Sequence, residues 1–248
     1  MPRSFGQLAL NVRLRDASSF ENFHNGCNHE AVARLEAFAR VDPEAPSPAF
    51  GIYVWGERGA GKTHLIEAVY RVALIPGQEP IVLPLAERGA LAPELLNELE
   101  IEKGTLVCVD DVEAVAGERA WETAVLGLYE RLRMQGGRLL VTGATAPLRL
   151  GLQLPDLATR LAALLVYPLQ GLTDDEKISA LCQRAQRRGL DMSDEVARYL
   201  LQRYPRDMHS LFALLDKLDS ATLAAQRRLT IPFVREFVEH TGSQTPNQ

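Results

Sequence analysis

The sequence has few cysteines, no long apolar run and no excess of positive charge, and each absence closes off a class of function. Cys27, Cys108 and Cys182 are its only three cysteines. They lie far apart without metal-ligand spacing, so buried thiols in a reducing cytosol are expected rather than a disulfide frame or a zinc site. No apolar stretch approaches the roughly 20 residues that span a bilayer, and Met1-Pro2-Arg3-Ser4-Phe5-Gly6 lacks a signal-peptide core. The expected location is the cytoplasm, with no membrane partner. A formal net charge of -5 argues against a chain that mainly wraps nucleic acid, while leaving room for a local basic face. There is no internal repeat. The 248 residues, 46% apolar and 24% charged, suit a globular protein of one large or two small domains.

What is present is a complete phosphate-binding loop, Gly56-Glu57-Arg58-Gly59-Ala60-Gly61-Lys62-Thr63. It follows an apolar run, Phe50 to Trp55, and opens into a helical pattern, His64 to Tyr70. That strand–loop–helix context makes the pattern a physical statement. Gly56, Gly59, Ala60 and Gly61 let the backbone curl so that successive N–H groups face phosphate oxygens, and the new helix adds its positive end. Lys62 then reaches the outer phosphates and the Thr63 hydroxyl ligates magnesium. The sequence reads as that of a nucleotide-binding protein.

Residues 1–19 show no useful periodicity and read as a mobile arm. Asn28 to Arg40 has helical spacing, and residues 41–48 form a proline-rich surface loop. Four further strands are expected at Ile81–Leu83, Leu106–Val109, Arg138–Thr142 and Leu164–Tyr167. Short apolar runs of this kind, separated by helical patterns, imply a parallel sheet covered on both faces. After Pro168 only helical patterns remain. Thr173 and Glu176 form a capping box for a helix that stops near Arg188, with Gly189 as the left-handed residue. Helices are expected over Ser193–Arg203, His209–Arg227 and Pro232–His240, and the tail from Gly242 is expected to be disordered. The fold class is thus α/β: a five-stranded parallel-sheet domain over 20–168 and a helical lid over 169–241.

Leu106-Val107-Cys108-Val109-Asp110-Asp111 supplies the other half of the site. A buried strand ending in a carboxylate sets Asp110 beside the loop as the magnesium-side acid, and Asp111 could orient or deprotonate an attacking water. Thr142 and Thr145, near the end of the next strand, are weak candidates for holding that water. Asp156-Leu157-Ala158-Thr159-Arg160 places an arginine at the domain edge, where it could reach a neighbour's nucleotide or simply be solvated. The lid carries Arg184, Arg187, Arg188, Arg203, Arg206, Arg227 and Arg228; spacing alone does not say which faces a phosphate. In the arm, Gln7-Leu8-Ala9-Leu10 is apolar with nothing local to bury it, which suits an extended peptide docking in a partner's groove.

Together these segments resemble the DnaA-like AAA+ ATPases over nearly the whole chain. The resemblance rests on Ser19-Phe20-Glu21-Asn22-Phe23 with Gly26 and Asn28, on Trp55 to Leu65, on Cys108 to Glu113, on Leu154 to Leu161, and on Leu229-Thr230-Ile231-Pro232-Phe233-Val234. It implies that Phe23 lines an adenine pocket, that Arg160 is an arginine finger acting in trans, and that Gln7, Leu8 and Leu10 bind the DNA polymerase sliding clamp. Asn11-Val12 departs from the usual end of that clamp motif. His209 stands where a lid arginine normally faces the nucleotide, with Arg206 as a nearby substitute. Ala144-Thr145 replaces an acid and a basic residue. These departures disfavour intrinsic turnover while leaving ADP (or ATP) binding intact.

The resemblance also implies partners: the DnaA initiator and the sliding clamp, without sequence-specific DNA recognition, and with self-association left open. The expected function is a clamp-bound regulator that stimulates hydrolysis of DnaA-bound ATP. An autonomous ATP-driven motor that remodels DNA or loads a helicase is the rival, and a non-catalytic adaptor is a third reading.

Overall fold

A computed structural model describes residues 18–40, 49–74, 79–87, 92–225 and 228–242. The clamp-motif residues Gln7, Leu8 and Leu10, the proline-rich loop 41–48 and residues 243–248 lie outside the described residues. The chain divides into two compact units, Met1–Gly171 and Leu172–Gln248.

The first unit runs α1 (His29–Ala39), β1 (Gly51–Trp55), α2 (Lys62–Ala73), β2 (Ile81–Pro84), α3 (Pro93–Glu98), β3 (Leu106–Asp110), α4 (Arg119–Gln135), β4 (Arg138–Gly143), α5 (Pro155–Ala162) and β5 (Leu165–Pro168). All five strands are parallel, in the spatial order β2-β3-β4-β1-β5. Successive side chains of a strand point to opposite faces, and the core follows that alternation. Tyr53, Val107, Val109, Leu139 and Val141 pack with Trp121, Leu128 and Leu132 of α4 and Leu157 and Leu161 of α5. Ile52, Val54, Leu106, Cys108 and Leu140 pack with Leu35 and Phe38 of α1 and Leu65, Ile66 and Val69 of α2.

The two edge strands, β2 and β5, end in Pro84 and Pro168, residues that cannot donate to a ladder and so belong at edges. The expectation of strands covered on both faces holds for β3 and β4, which are buried throughout. It fails at β5, whose Leu165 is 42% exposed, because an edge strand lacks a neighbour on one side. Cys27 also departs from expectation. It is exposed, in the turn before α1 where Gly26 has φ 49°, whereas Cys108 is buried and Cys182 half-buried; all three are free thiols.

The second unit comprises α6 (Asp174–Arg187), α7 (Asp194–Arg203), α8 (Met208–Ala225) and α9 (Ile231–Gly242). Leu181, Leu200, Leu211, Leu215 and Val234 form its core. Thr173 caps α6 by accepting from the Glu176 N–H while the Glu176 carboxylate accepts from the Thr173 N–H. Gly189, with φ 76°, ends it. Replacing Thr173 by Ala removes the cap's acceptor and should destabilise the lid by about 1 kcal/mol. Urea unfolding followed by a lid-specific probe checks this, and Thr173→Ser should restore most of the loss.

Candidate functional site: a phosphate loop facing two strand-end acids

β4 lies between β1 and β3, so the loop leaving β1 and the acid ending β3 meet over the carboxyl end of β4. In open parallel sheets this crevice is where ligands bind. Gly61 takes φ 98°, and a Cβ there would lie 2.6 Å from Phe23 Cε2; only glycine fits. α2 then starts at Lys62 with its first N–H groups turned toward the loop. Lys62 is 8% exposed, and its ammonium donates to the Gly56 carbonyl at 2.9 Å and the Glu57 carbonyl at 3.4 Å. A phosphate oxygen offers the same ammonium a charged acceptor in place of those neutral carbonyls.

Thr63 Oγ1 donates to Asp110 Oδ2 at 2.8 Å. Hydroxyl and carboxylate oxygens this close are the donor set and spacing of neighbouring ligands on a small hard cation, so Thr63 and Asp110 fit magnesium. Asp110 is 5% exposed, and its other oxygen accepts from the Thr142 hydroxyl. Thr142 Oγ1 in turn accepts from the Asp111 N–H at 3.0 Å. With its hydroxyl engaged on both acids and 1% exposed, Thr142 positions the acids rather than a water. Thr145 contributes its backbone: its carbonyl accepts from the Tyr53 hydroxyl at 2.8 Å. Tyr53 is wholly buried, and burial with Glu113 nearby pushes its phenol upward. Gly143 makes room for that phenol, since a Cβ there would lie 2.0 Å from the Tyr53 hydroxyl oxygen.

Asp111 sits in the left-handed region at φ 52°. Burial, then Asp110, then Glu113 push its carboxyl up to about 6, against the pull of Lys62 and Arg58. A group at that value can exchange a proton near neutral pH.

Before the loop, Ser19 caps a 3-10 turn over Phe20–Asn22. The ring of Phe23 lies 5.4 Å from that of His64, and His64 Nε2 is 3.0 Å from the Ser19 carbonyl oxygen. The Asn28 amide bonds both ways to the Gln170 backbone, at 2.9 and 2.8 Å. Phe23 is thereby brought against Gly61 and the start of α2.

Arg160, on the last turn of α5, pairs with Glu130 of α4 at 3.0 Å, with side chains 48% and 41% exposed. In the second unit Arg206 pairs with Asp174 at 2.7 Å, and the His209 side chain lies outside the described residues. Arg184 and Arg188 pair with Asp216, and the Arg184 guanidinium lies 4.5 Å from the Phe212 ring centre. Their place is in the lid's own packing. Among the described residues no cluster of His, Cys, Asp and Glu could hold a metal by itself, and no helix is long and apolar enough to cross a membrane.

Comparison with known proteins gives this geometry a context. Residues 174–238 match the model of the family described as Hda, lid domain. Domain III of the replication initiation protein DnaA from Thermotoga maritima superposes with a TM-score of 0.71 at 17% identity, covering 91% of this chain and 97% of that one. The chain thus shares the fold of DnaA domain III and carries a lid similar to the Hda lid family. AMPPCP-bound DnaA from Aquifex aeolicus superposes at 0.65 with 18% identity, covering 83% of this chain and 66% of that one. A RuvB variant from Thermotoga maritima gives 0.62 with 17% identity, covering 91% and 72%. At these identities the structural likenesses establish the AAA+ fold of sheet domain and helical lid.

The raised Asp111 carboxyl has a consequence for stability. Its folded value, about 6, exceeds the ordinary 3.8. The folded protein therefore holds the proton more tightly, and that stabilisation is full below about 4 and lost as pH rises toward 6. In nucleotide-free protein with a chelator, Asp111→Asn should remove this decline between pH 4 and 6 and raise stability at pH 7. Parallel urea titrations across that range check it; an unchanged pH dependence refutes the assignment.

Proposed function

We propose that this chain is a regulator of replication initiation that holds a nucleotide in its own loop and acts in trans on ATP bound by DnaA. In this reading Arg160 is presented to the initiator's triphosphate, hydrolysis is stimulated, and DnaA is left in its ADP form. Arg160 is the observation that carries it. The side chain is half exposed on the last turn of α5 and, among the described residues, pairs with the exposed Glu130. Surface pairs of this kind are worth about 0–1 kcal/mol, so a triphosphate easily displaces the carboxylate. An arginine given in trans to a transferring phosphoryl group is worth roughly 10³–10⁵ in rate. The lid's match to the Hda lid family supports the regulator over a self-contained machine.

The chain's own residues then have separate tasks. Lys62 and the loop's N–H groups hold the phosphates of ADP or ATP, Thr63 and Asp110 hold the magnesium, and Phe23 packs at the nucleotide's base. Magnesium, when bound, supplies charge that neutralises the phosphates. Arg206 and His209 are the lid groups proposed to sense the nucleotide. Asp111 is the group able to take a proton, but Ala144 and Thr145 place no charged side chain near it, which supports weak turnover at this site. Gln7, Leu8 and Leu10 tether the protein to the sliding clamp, raising its local concentration at replicated DNA.

The intact Thr63–Asp110 pair favours one rival, an autonomous motor. Labelled ATP pre-bound to DnaA, with clamp loaded on DNA and this protein added with ADP, separates the two. Stimulation that requires the clamp is the expected result. Phosphate release by this protein alone, with no effect on DnaA, would favour the motor. Arg160→Ala should abolish stimulation, a loss of roughly 10³-fold or more, while clamp binding is retained. Changing Leu8 and Leu10 together to Ala should abolish co-elution with the clamp and leave ADP affinity unchanged; persistent co-elution would show that the arm is not the tether.

A further inference from the structure

We propose that Glu122 of α4 is a positioning residue for Arg160: a buried carboxylate that holds the backbone entering α5 and so fixes where the arginine's backbone stands. This rests on the reading of Arg160 as a group acting in trans. Glu122 is 0% exposed, and a carboxylate buried that completely is costly unless hydrogen-bonded. It accepts three backbone N–H groups: Gly117 at 2.7 Å and Gln153 at 3.0 Å through Oε1, and Leu154 at 2.7 Å through Oε2. The Gln153 side chain closes the arrangement by donating to the Gly117 carbonyl at 2.7 Å.

Leu154 is the N-cap of α5 and has no side chain able to accept from that helix's first N–H groups. Its own N–H is held instead by the Glu122 carboxylate of another helix, 32 residues away in sequence. A carboxylate is the strongest choice there, because N–H bonds to an ionised acceptor are about twice as strong as neutral ones, and negative charge suits a helix N-terminus.

The far end of α5 meets α4 again, through Arg160 and Glu130. The two acids are eight residues apart on α4, about 12 Å along the helix axis. They meet the start and the last turn of α5 in the same order along both helices. The two contacts differ in kind. Glu122 is buried and grips backbone, so it sets the position of the helix. Glu130 is exposed and touches only the guanidinium, so it sets where the charged tip rests until a triphosphate displaces it. An eight-residue helix is too short to hold its own conformation in water. Its placement therefore depends on Leu157 and Leu161 and on the Glu122 grip.

The test uses the full chain with Glu122→Gln, an isosteric change that keeps one acceptor oxygen and turns an NH₂ toward an N–H. Hydrogen exchange at residues 154–160 should rise severalfold, while the strand amides stay as in the wild type, showing an intact fold. Maximal stimulation of DnaA-bound ATP hydrolysis should fall about tenfold, and about 10²-fold for Glu122→Ala, since displacement of a catalytic group by about 1 Å costs that much. The concentration for half-maximal stimulation and the ADP affinity should not change; a merely structural weakening would move them. Unchanged exchange overturns the proposal, as does a loss confined to half-saturation or ADP affinity. The failures are separable. A wild type that does not stimulate sinks the functional reading and the role given to Arg160 with it. A stimulating wild type, an inactive Arg160→Ala and a fully active Glu122→Gln sink the Glu122 grip alone.

Discussion

The site depends on one buried carboxylate with a hydroxyl on each oxygen. Asp110 lies at the carboxyl end of β3, 5% exposed, between Thr63 from the start of α2 and Thr142 from the end of β4. Three segments distant in sequence are fixed to one another through this side chain. The consequences spread outward. With Thr63 held, the glycine loop before it must close within a few residues, which requires the left-handed φ of Gly61. With Thr142 held, its oxygen also takes the Asp111 N–H, and the chain turns so sharply that Asp111 adopts φ 52°. A non-glycine residue there costs about 1–2 kcal/mol, a strain sustained only where neighbours on both sides are fixed. The same turn leaves the Asp111 carboxyl half-buried beside two other acids, the source of its raised proton affinity.

The second line of support runs beneath the first. Tyr53 rises from the middle of β1 to donate to Thr145, across the space that Gly143 leaves open. The loop after β4 is thereby tied to the strand that precedes the phosphate loop. The two loops flanking the crevice thus share a rigid frame, the kind of preorganisation that spares a site reorganisation during reaction.

The parts legible in the sequence are those decided by short-range patterns. Phe50 to Trp55 followed by the glycine loop could only be strand, loop and helix, and Thr173 with Glu176 marked a helix start to the residue. The place of Asp110 beside the loop was legible because it ends an apolar run that reads as a buried strand. The rest depended on distance. Glu122, within Arg119-Ala120-Trp121-Glu122-Thr123, has the pattern of a solvated helix acid; its three N–H partners come from loops up to 32 residues away. The Tyr53 phenol finds a carbonyl 92 residues on. Thr142 stood out only as a weak candidate for holding a water, and its bonds to the two acids are seen only once β3 and β4 are paired. β5 misled for a related reason: its apolar run resembles that of β3, but strand order put it at an edge.

Fold alone does not decide between the proposed regulator and an autonomous motor, since the AAA+ fold is shared by differently named proteins such as DnaA and RuvB. Support for the proposed regulator comes from where the charges lie. In the chain's own site the Asp111 carboxylate loses its charge as pH falls through about 6, and Ala144 and Thr145 bring no charged side chain to assist it. Arg160 keeps its charge at any physiological pH and stands half exposed on α5, away from the core. It is set on a helix held by a buried grip at one end and a weak, exchangeable pair at the other. A cation fixed in place by its backbone and free at its tip is of most use to a phosphate supplied from outside the molecule. The distribution of rigidity, more than the presence of a phosphate loop, is what supports the proposal that Arg160 acts outward.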